Sequence, residues 1–118
     1  MRYFMTGWLV LLLMPVTLAA QQARTCKPEA LLEIEVETLQ QLEEAIAAGV
    51  DRVLLDNFSL DMMKQAVAIN AGRLELEASG NIDEQNIRDV ARTGVTYISI
   101  GALTKHVRAI DFSLRYID

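Results

Sequence analysis

Acidic and small residues follow a series of apolar runs along the chain, and their types suit the binding of a phosphorylated sugar. The first two runs lead to the acids Glu35 and Asp56, and the last two lead to Ser79-Gly80 and to Gly101. Carboxylates can hold sugar hydroxyls or a magnesium ion. Glycines let a phosphate approach the free N–H groups at the start of a following helix. Acids at two run ends and an anion cradle at the other two therefore predict a sugar phosphate site.

Each of these residues also has a simpler interpretation. A glycine after a strand is usually only a turn residue, and Asp56 could cap a helix or a turn. Lys105 and His106 follow the last run and could be solvated surface residues, since a single histidine makes no metal site. The four run ends taken together are a stronger indication than any one of them.

The elements that must position these residues alternate regularly from residue 33 onward. Strands are predicted over residues 33–37, 52–56, 74–78 and 97–100 from their apolar or alternating patterns. Helices are predicted between them because Thr38, Ser59 and Asp83 are suitable N-cap residues and glycines follow the periodic apolar stretches. A short helical turn is expected over residues 103–108. Strands and helices at this spacing predict parallel βαβ units. The fold class is thus α/β, a partial (β/α) barrel of about four such units behind an apolar leader helix.

The first and third predicted strands each carry acids on one face. Glu33, Glu35 and Glu37 share a face of the first strand, as Glu75 and Glu77 do in the third. Parallel strands buried on both faces normally read as continuous apolar runs. The acids therefore indicate either a polar, ligand-filled lumen or an open sheet with solvated acids, and the pattern alone does not separate the two.

The first twenty residues have the layout of a secretory signal peptide. Arg2 precedes an apolar run over residues 4–16, and the small residues Thr17, Ala19 and Ala20 follow. A membrane anchor is the alternative, although the run is shorter than the roughly 20 residues that a spanning helix needs. A second alternative is that the apolar run is an accident of gene truncation and carries no targeting signal. We expect a leader over residues 1–20, a polar linker over 21–27 and the partial barrel over 28–118.

Charge and cysteine content exclude several classes of function. The chain has 118 residues and a net charge of −5, and its basic residues are scattered. Nucleic-acid binding is not expected, because a phosphate backbone needs clustered Lys and Arg. With Cys26 as the one cysteine, the chain can form neither an internal disulfide nor a zinc cluster.

Five segments of the chain resemble the quinolinate phosphoribosyltransferases, also called nicotinate-nucleotide pyrophosphorylase (carboxylating). They occur in the family's order and spacing between residues 28 and 116. The segments are Glu33-Ile34-Glu35-Val36-Glu37, Leu54-Leu55-Asp56-Asn57-Phe58, Leu76-Glu77-Ala78-Ser79-Gly80-Asn81-Ile82, Thr93-Gly94-Val95 and Ile100-Gly101-Ala102-Leu103-Thr104-Lys105.

The resemblance implies an enzyme of NAD biosynthesis. Such a phosphoribosyltransferase joins quinolinate to 5-phosphoribosyl-1-pyrophosphate with Mg²⁺, giving nicotinate mononucleotide, CO₂ and pyrophosphate. It also implies an open α/β barrel behind an N-terminal domain, a homo-oligomer and a cytoplasmic location. By position, Glu35 and Asp56 match the acids near the ribose and the magnesium ion. The matches to the phosphate loops and their surroundings are Ser79, Gly80, Gly101, Lys105 and His106.

The chain departs from the family in what it lacks. The N-terminal domain and first barrel strands have no counterpart, and with them are missing the basic residues that hold the two carboxylates of quinolinate. We therefore expect binding of quinolinate only with a complementing chain, and no turnover by this chain alone. The alternatives are a non-catalytic exported module that binds a phosphorylated sugar or another subunit, and a gene remnant that does not fold. The leader predicts export, whereas the family resemblance implies a cytoplasmic location. The cellular location therefore stays open.

Overall fold

The structure is a computed structural model that describes residues 2–5 and 16–101, where four parallel strands alternate with helices. The elements are β1 (Arg2–Met5), α1 (Val16–Cys26), β2 (Leu32–Val36), α2 (Leu39–Ala48), β3 (Arg52–Asp56), α3 (Leu60–Asn70), β4 (Glu75–Ser79), α4 (Ile87–Arg92) and β5 (Tyr97–Ile98). The strands lie in the order β1-β2-β3-β4-β5, with β1 antiparallel to β2 and the other pairs parallel. The predicted α/β class with about four parallel units is confirmed. The helical turn expected over residues 103–108 lies outside the described residues.

Local capping explains where helices α2 and α3 begin and where α2 ends. The side chains of Thr38 and Ser59 each accept an N–H from the first turn of the helix that follows, α2 and α3 respectively. Gly49 ends α2 with a left-handed φ of 69°, a conformation that glycine adopts without steric cost. These caps were predicted from residue type, and the structure confirms them.

Helix α4 begins later than the sequence predicts. Asp83 is the predicted N-cap, but α4 spans Ile87–Arg92 and its N-cap residue is Asn86. The Asp83 carboxylate accepts the N–H groups of Gln85 at 2.9 Å and of Asn86 at 3.2 Å, so it closes a turn ahead of the helix. The last strand is likewise shorter than predicted and spans only Tyr97–Ile98.

Residues 21–26, where a linker is expected, form most of helix α1. Ala20 lies in the core with 1% of its surface exposed, and Ala23 packs against that core. The Arg24 guanidinium donates to the Asp51 carboxylate at 2.6 Å. Tertiary contacts thus hold a segment whose polar composition indicated no structure.

The predicted leader is described only in part. Within residues 1–20, residues 2–5 form β1 and pair with β2, and residues 16–20 open helix α1. In the described ranges, no helix has the length and apolar character needed to cross a membrane. The signal peptide and its cleavage stay predictions.

The sheet has one apolar and one polar face. Alternate residues of β2, β3 and β4 are almost fully buried, namely Ile34, Val36, Val53, Leu55, Leu76 and Ala78. Right-handed crossovers between strands in sequence order place helices α2 to α4 on one face. It is the apolar face, because Leu42, Met63 and Val90 of these helices belong to the same core. The opposite face carries the half-buried acids Glu33, Glu35 and Glu77. The acids are therefore neither freely solvated nor deeply buried, and they line the side of the sheet away from the crossover helices.

Candidate functional site

Three carboxylates meet at the carboxyl ends of β2 and β3. One oxygen from each of Glu35, Glu37 and Asp56 lies within 4.8 Å of the others. The parallel register aligns the two strands and so brings their ends together. Glu37 is held near the start of α2, because its backbone N–H donates to the side chain of Gln41 at 2.8 Å. Hard oxygen ligands at this spacing suit Mg²⁺ or the hydroxyls of a sugar.

Asp56 is not the cap of the helix that follows it. The N-cap of α3 is Ser59, whose hydroxyl accepts the N–H of Met62 at 3.2 Å. Asp56 instead ends β3, half-buried, with Ser79 of β4 as its partner in the ladder. This placement puts Ser79 beside the three carboxylates, as the sequence predicted for strand ends.

The loops after β3 and β4 are locked together by two asparagines. Asn57 has a left-handed φ of 56°, and its N–H donates to the Ser79 carbonyl at 2.9 Å. The Asn57 side-chain oxygen accepts from the Asn81 amide, also at 2.9 Å. A Cβ on Gly80 would lie 2.3 Å from that same oxygen. This contact with Asn57 and the left-handed φ of 86° at Gly80 both favour a glycine there, whether or not a ligand is bound.

Gly101 differs from Gly80 in this respect. It is exposed, and a Cβ built on it would meet no described atom within 4 Å. Among the described residues, none would contact a methyl side chain at this position. Lys105 and His106, the other predicted site residues of this segment, lie outside the described residues.

The polar face carries a charge network around Arg52 near the amino-terminal ends of β3 and β4. Its Nη2 donates to Glu75 at 2.7 Å, and its Nη1 lies 3.7 Å from the Glu77 carboxylate. Its guanidinium carbon also lies 4.3 Å from the centre of the Tyr97 ring. Burial and then the neighbouring Glu77 raise the pKa of Glu33, and Arg52 partly opposes them. Arg52 is not among the site residues predicted from sequence, although a basic residue at a strand position facing acids is a detectable signal.

An open groove of about 670 Å³ lies at the other end of the strands. Its lining includes Arg24, Asp51, Arg73 and Glu75. The guanidinium of Arg24 is bound by Asp51, and that of Arg73 donates to the carbonyl of Asn70 at 3.0 Å. We place the candidate site at the carboxyl ends instead, because ligands of parallel α/β sheets bind there.

Comparison with known proteins gives consistent matches. Residues 9–115 match the family described as "Quinolinate phosphoribosyl transferase, C-terminal domain". The chain is 40% identical over 83 residues to the probable nicotinate-nucleotide pyrophosphorylase (carboxylating) of Bacillus subtilis, covering 70% of this chain and 29% of that protein. A rice chloroplastic relative of the same name is 37% identical over 99 residues, covering 71% of this chain and 27% of its own length.

A solved structure of the nicotinate-nucleotide pyrophosphorylase from Francisella tularensis superimposes with a TM-score of 0.78 at 45% identity. That match covers 83% of this chain and 36% of the Francisella chain. The chain therefore spans about a third or less of the length of these relatives.

Proposed function

The chain belongs to the quinolinate phosphoribosyltransferase family, and from that premise we propose that it forms the phosphoribosyl half of such an enzyme's site. The substrate of this half is 5-phosphoribosyl-1-pyrophosphate with Mg²⁺, and the reaction is a decarboxylating phosphoribosyl transfer in NAD biosynthesis. The observation that carries the proposal is the meeting of Glu35, Glu37 and Asp56 at the carboxyl edge of the sheet, within 4.8 Å of one another.

The site residues divide into two groups in this proposal. Glu35 and Asp56 bind the ribose hydroxyls and hold Mg²⁺, which fits their all-oxygen donor set. When bound, Mg²⁺ would offset the charge of the departing pyrophosphate. Loss of pyrophosphate leaves positive charge on the ribose carbon, and preorganised carboxylates stabilise that charge. Phosphate oxygens are bound at Ser79, Gly80 and Gly101, with Lys105 and His106 proposed to lie beside them.

The cations that would hold quinolinate are proposed to lie outside the described residues. Its two carboxylates need charge-assisted donors. Among the described residues on the polar face of β2 to β5, Arg52 is the basic one, and Glu75 already accepts from its Nε at 3.0 Å and its Nη2 at 2.7 Å. This engagement supports the proposal that the cations for quinolinate come from residues other than those described on this face.

Thermal unfolding of the full chain with and without 5-phosphoribosyl-1-pyrophosphate and Mg²⁺ tests the proposal. A ligand that binds only the folded state raises the unfolding midpoint, by the equivalent of about 2.7 kcal/mol at a hundred times Kd. We expect this rise in the parent chain and in Asp61→Asn, because Asp61 is an exposed residue of α3 paired with Lys64. Asp56→Asn should lose it while its ligand-free midpoint stays close to that of the parent. An equal rise in Asp56→Asn, or no rise in the parent, would contradict the proposal.

A further inference from the structure

The strand that leads to Gly101 is weakly attached through its backbone. β5 comprises only Tyr97–Ile98, and it is the last strand of the described sheet. Beside its two ladder pairs, the Thr96 N–H donates to the Leu76 carbonyl at 2.8 Å and the Ser99 N–H to the Ala78 carbonyl at 2.9 Å. So short a ladder belongs to the low-stability end of a fold, where local opening is easiest.

Side chains on the polar face supply a second attachment. Arg52 of β3 donates through Nε and Nη2 to one oxygen of Glu75 on β4, at 3.0 and 2.7 Å. The other oxygen of Glu75 accepts from the Tyr97 hydroxyl at 3.2 Å, and the ring of Tyr97 lies against the Arg52 guanidinium. The Ser99 hydroxyl also donates to Glu77, whose carboxylate faces Arg52. Three strands are thereby joined through one guanidinium.

We propose that Arg52 is a positioning residue, which fixes β5 and with it the Gly101 end of the site relative to the acidic end. This inference rests on the proposed function only for the identity of the ligand. The Cα atom of Arg52, four residues before Asp56 on the same strand, lies about 13 Å from that of Asp56 at the usual rise per residue. The partners of its guanidinium are Glu75, Glu77 and Tyr97. A planar guanidinium suits the role because it can pair with a carboxylate and stack on an aromatic ring at once.

The test compares Arg52→Met with Arg92→Met in the full chain. Arg92 is an exposed residue of α4 whose ion pair with Asp89 lies away from this network. In Arg52→Met we expect amide hydrogen exchange over residues 97–101 to become faster by about tenfold. Affinity for 5-phosphoribosyl-1-pyrophosphate should fall by about fivefold, whereas affinity for Mn²⁺, used as the probe of the carboxylate cluster, should be unchanged. Arg92→Met should alter none of these quantities.

A milder variant guards against a general loss of folding. Tyr97→Phe keeps the ring against Arg52 and removes only the hydroxyl that donates to Glu75, so its effects should be smaller and in the same direction. Exchange over residues 97–101 at the parent rate in Arg52→Met overturns the inference. So does an equal loss of affinity for both probes, which would indicate general disruption. If the parent fails to bind the sugar phosphate, the proposed function fails, and the exchange rates alone decide the role of Arg52.

Discussion

Replacement of Gly80 by alanine should destabilise the ligand-free protein far more than a glycine substitution elsewhere. Gly80 has a φ of +86°, and a Cβ there would lie 2.3 Å from Oδ1 and 2.7 Å from Cγ of Asn57. Both distances are well below van der Waals contact. The Asn57 side chain would have to move, and its hydrogen bond from Asn81 would be lost.

The expected magnitude is the sum of three effects at this position. A left-handed backbone costs alanine roughly 1–2 kcal/mol. Forcing an extra methyl group into an occupied space costs about 1–3 kcal/mol, and the lost hydrogen bond about 1 kcal/mol. The free energy of unfolding should therefore fall by roughly 3–6 kcal/mol. This is a large part of the roughly 5–15 kcal/mol typical of a whole domain.

Gly72→Ala is the matched control for the backbone cost. Gly72 has a φ of +76°, and a Cβ there would meet nothing within 4 Å, so only the roughly 1–2 kcal/mol of backbone strain should appear. Urea unfolding followed by circular dichroism measures both variants. Asn57→Gly combined with Gly80→Ala should recover part of the loss, because the side chain that clashes is removed.

Equal destabilisation of the Gly80→Ala and Gly72→Ala variants would refute the reasoning. It would mean that the Asn57 side chain yields without cost, and that backbone strain alone accounts for the loss of stability at position 80.

Three further predictions concern charge and capping. The raised pKa of Glu33 means that its negative charge opposes folding, so the stability of the protein should fall as the pH rises above 4.5, the ordinary pKa of this side chain. Glu33→Gln should therefore raise the midpoint of thermal unfolding at pH 7 but not at pH 3.5. Burial alone would raise the pKa of Asp51, but the Leu32 N–H and Arg24 outweigh it and lower the pKa. The charged Asp51 carboxylate therefore stabilises the fold at pH values above its ordinary pKa of 3.8, and this stabilisation is lost as the pH falls below that value. Arg24→Met should lower the free energy of unfolding by about 1 kcal/mol in urea at pH 7, and by less at pH 3. Thr38→Ala should lower the free energy of unfolding by about 1 kcal/mol in the same assay, because it removes the N-cap of α2.

The meeting of Glu35 and Asp56 at one edge of the sheet could be predicted from the sequence, because the ends of strands can be recognised from local pattern. The acids Glu35 and Asp56 follow apolar or alternating runs, and parallel strands bring such ends to one edge of a sheet. Their meeting in the structure agrees with this expectation. Their roles in binding stay proposals.

Other features depended on contacts between residues distant in the chain. Part of the preference for glycine at position 80 arises from Asn57, which the fold brings against it across two loops. The tie between Arg24 and Asp51 spans 27 positions and turns an apparently polar linker into part of helix α1. Neither contact leaves a periodic signal in the sequence.

The sequence by itself therefore determined the alternation of strands and helices, the first caps and the family, because these depend on residues near one another in the chain. Only the tertiary structure decided which acidic side chains have a basic partner. Arg52 reaches Glu75 and Tyr97 on neighbouring strands, whereas Glu35, Glu37 and Asp56 meet at the opposite end of the same face. Strand register sets both groupings, and register is a property of paired strands that no single strand encodes.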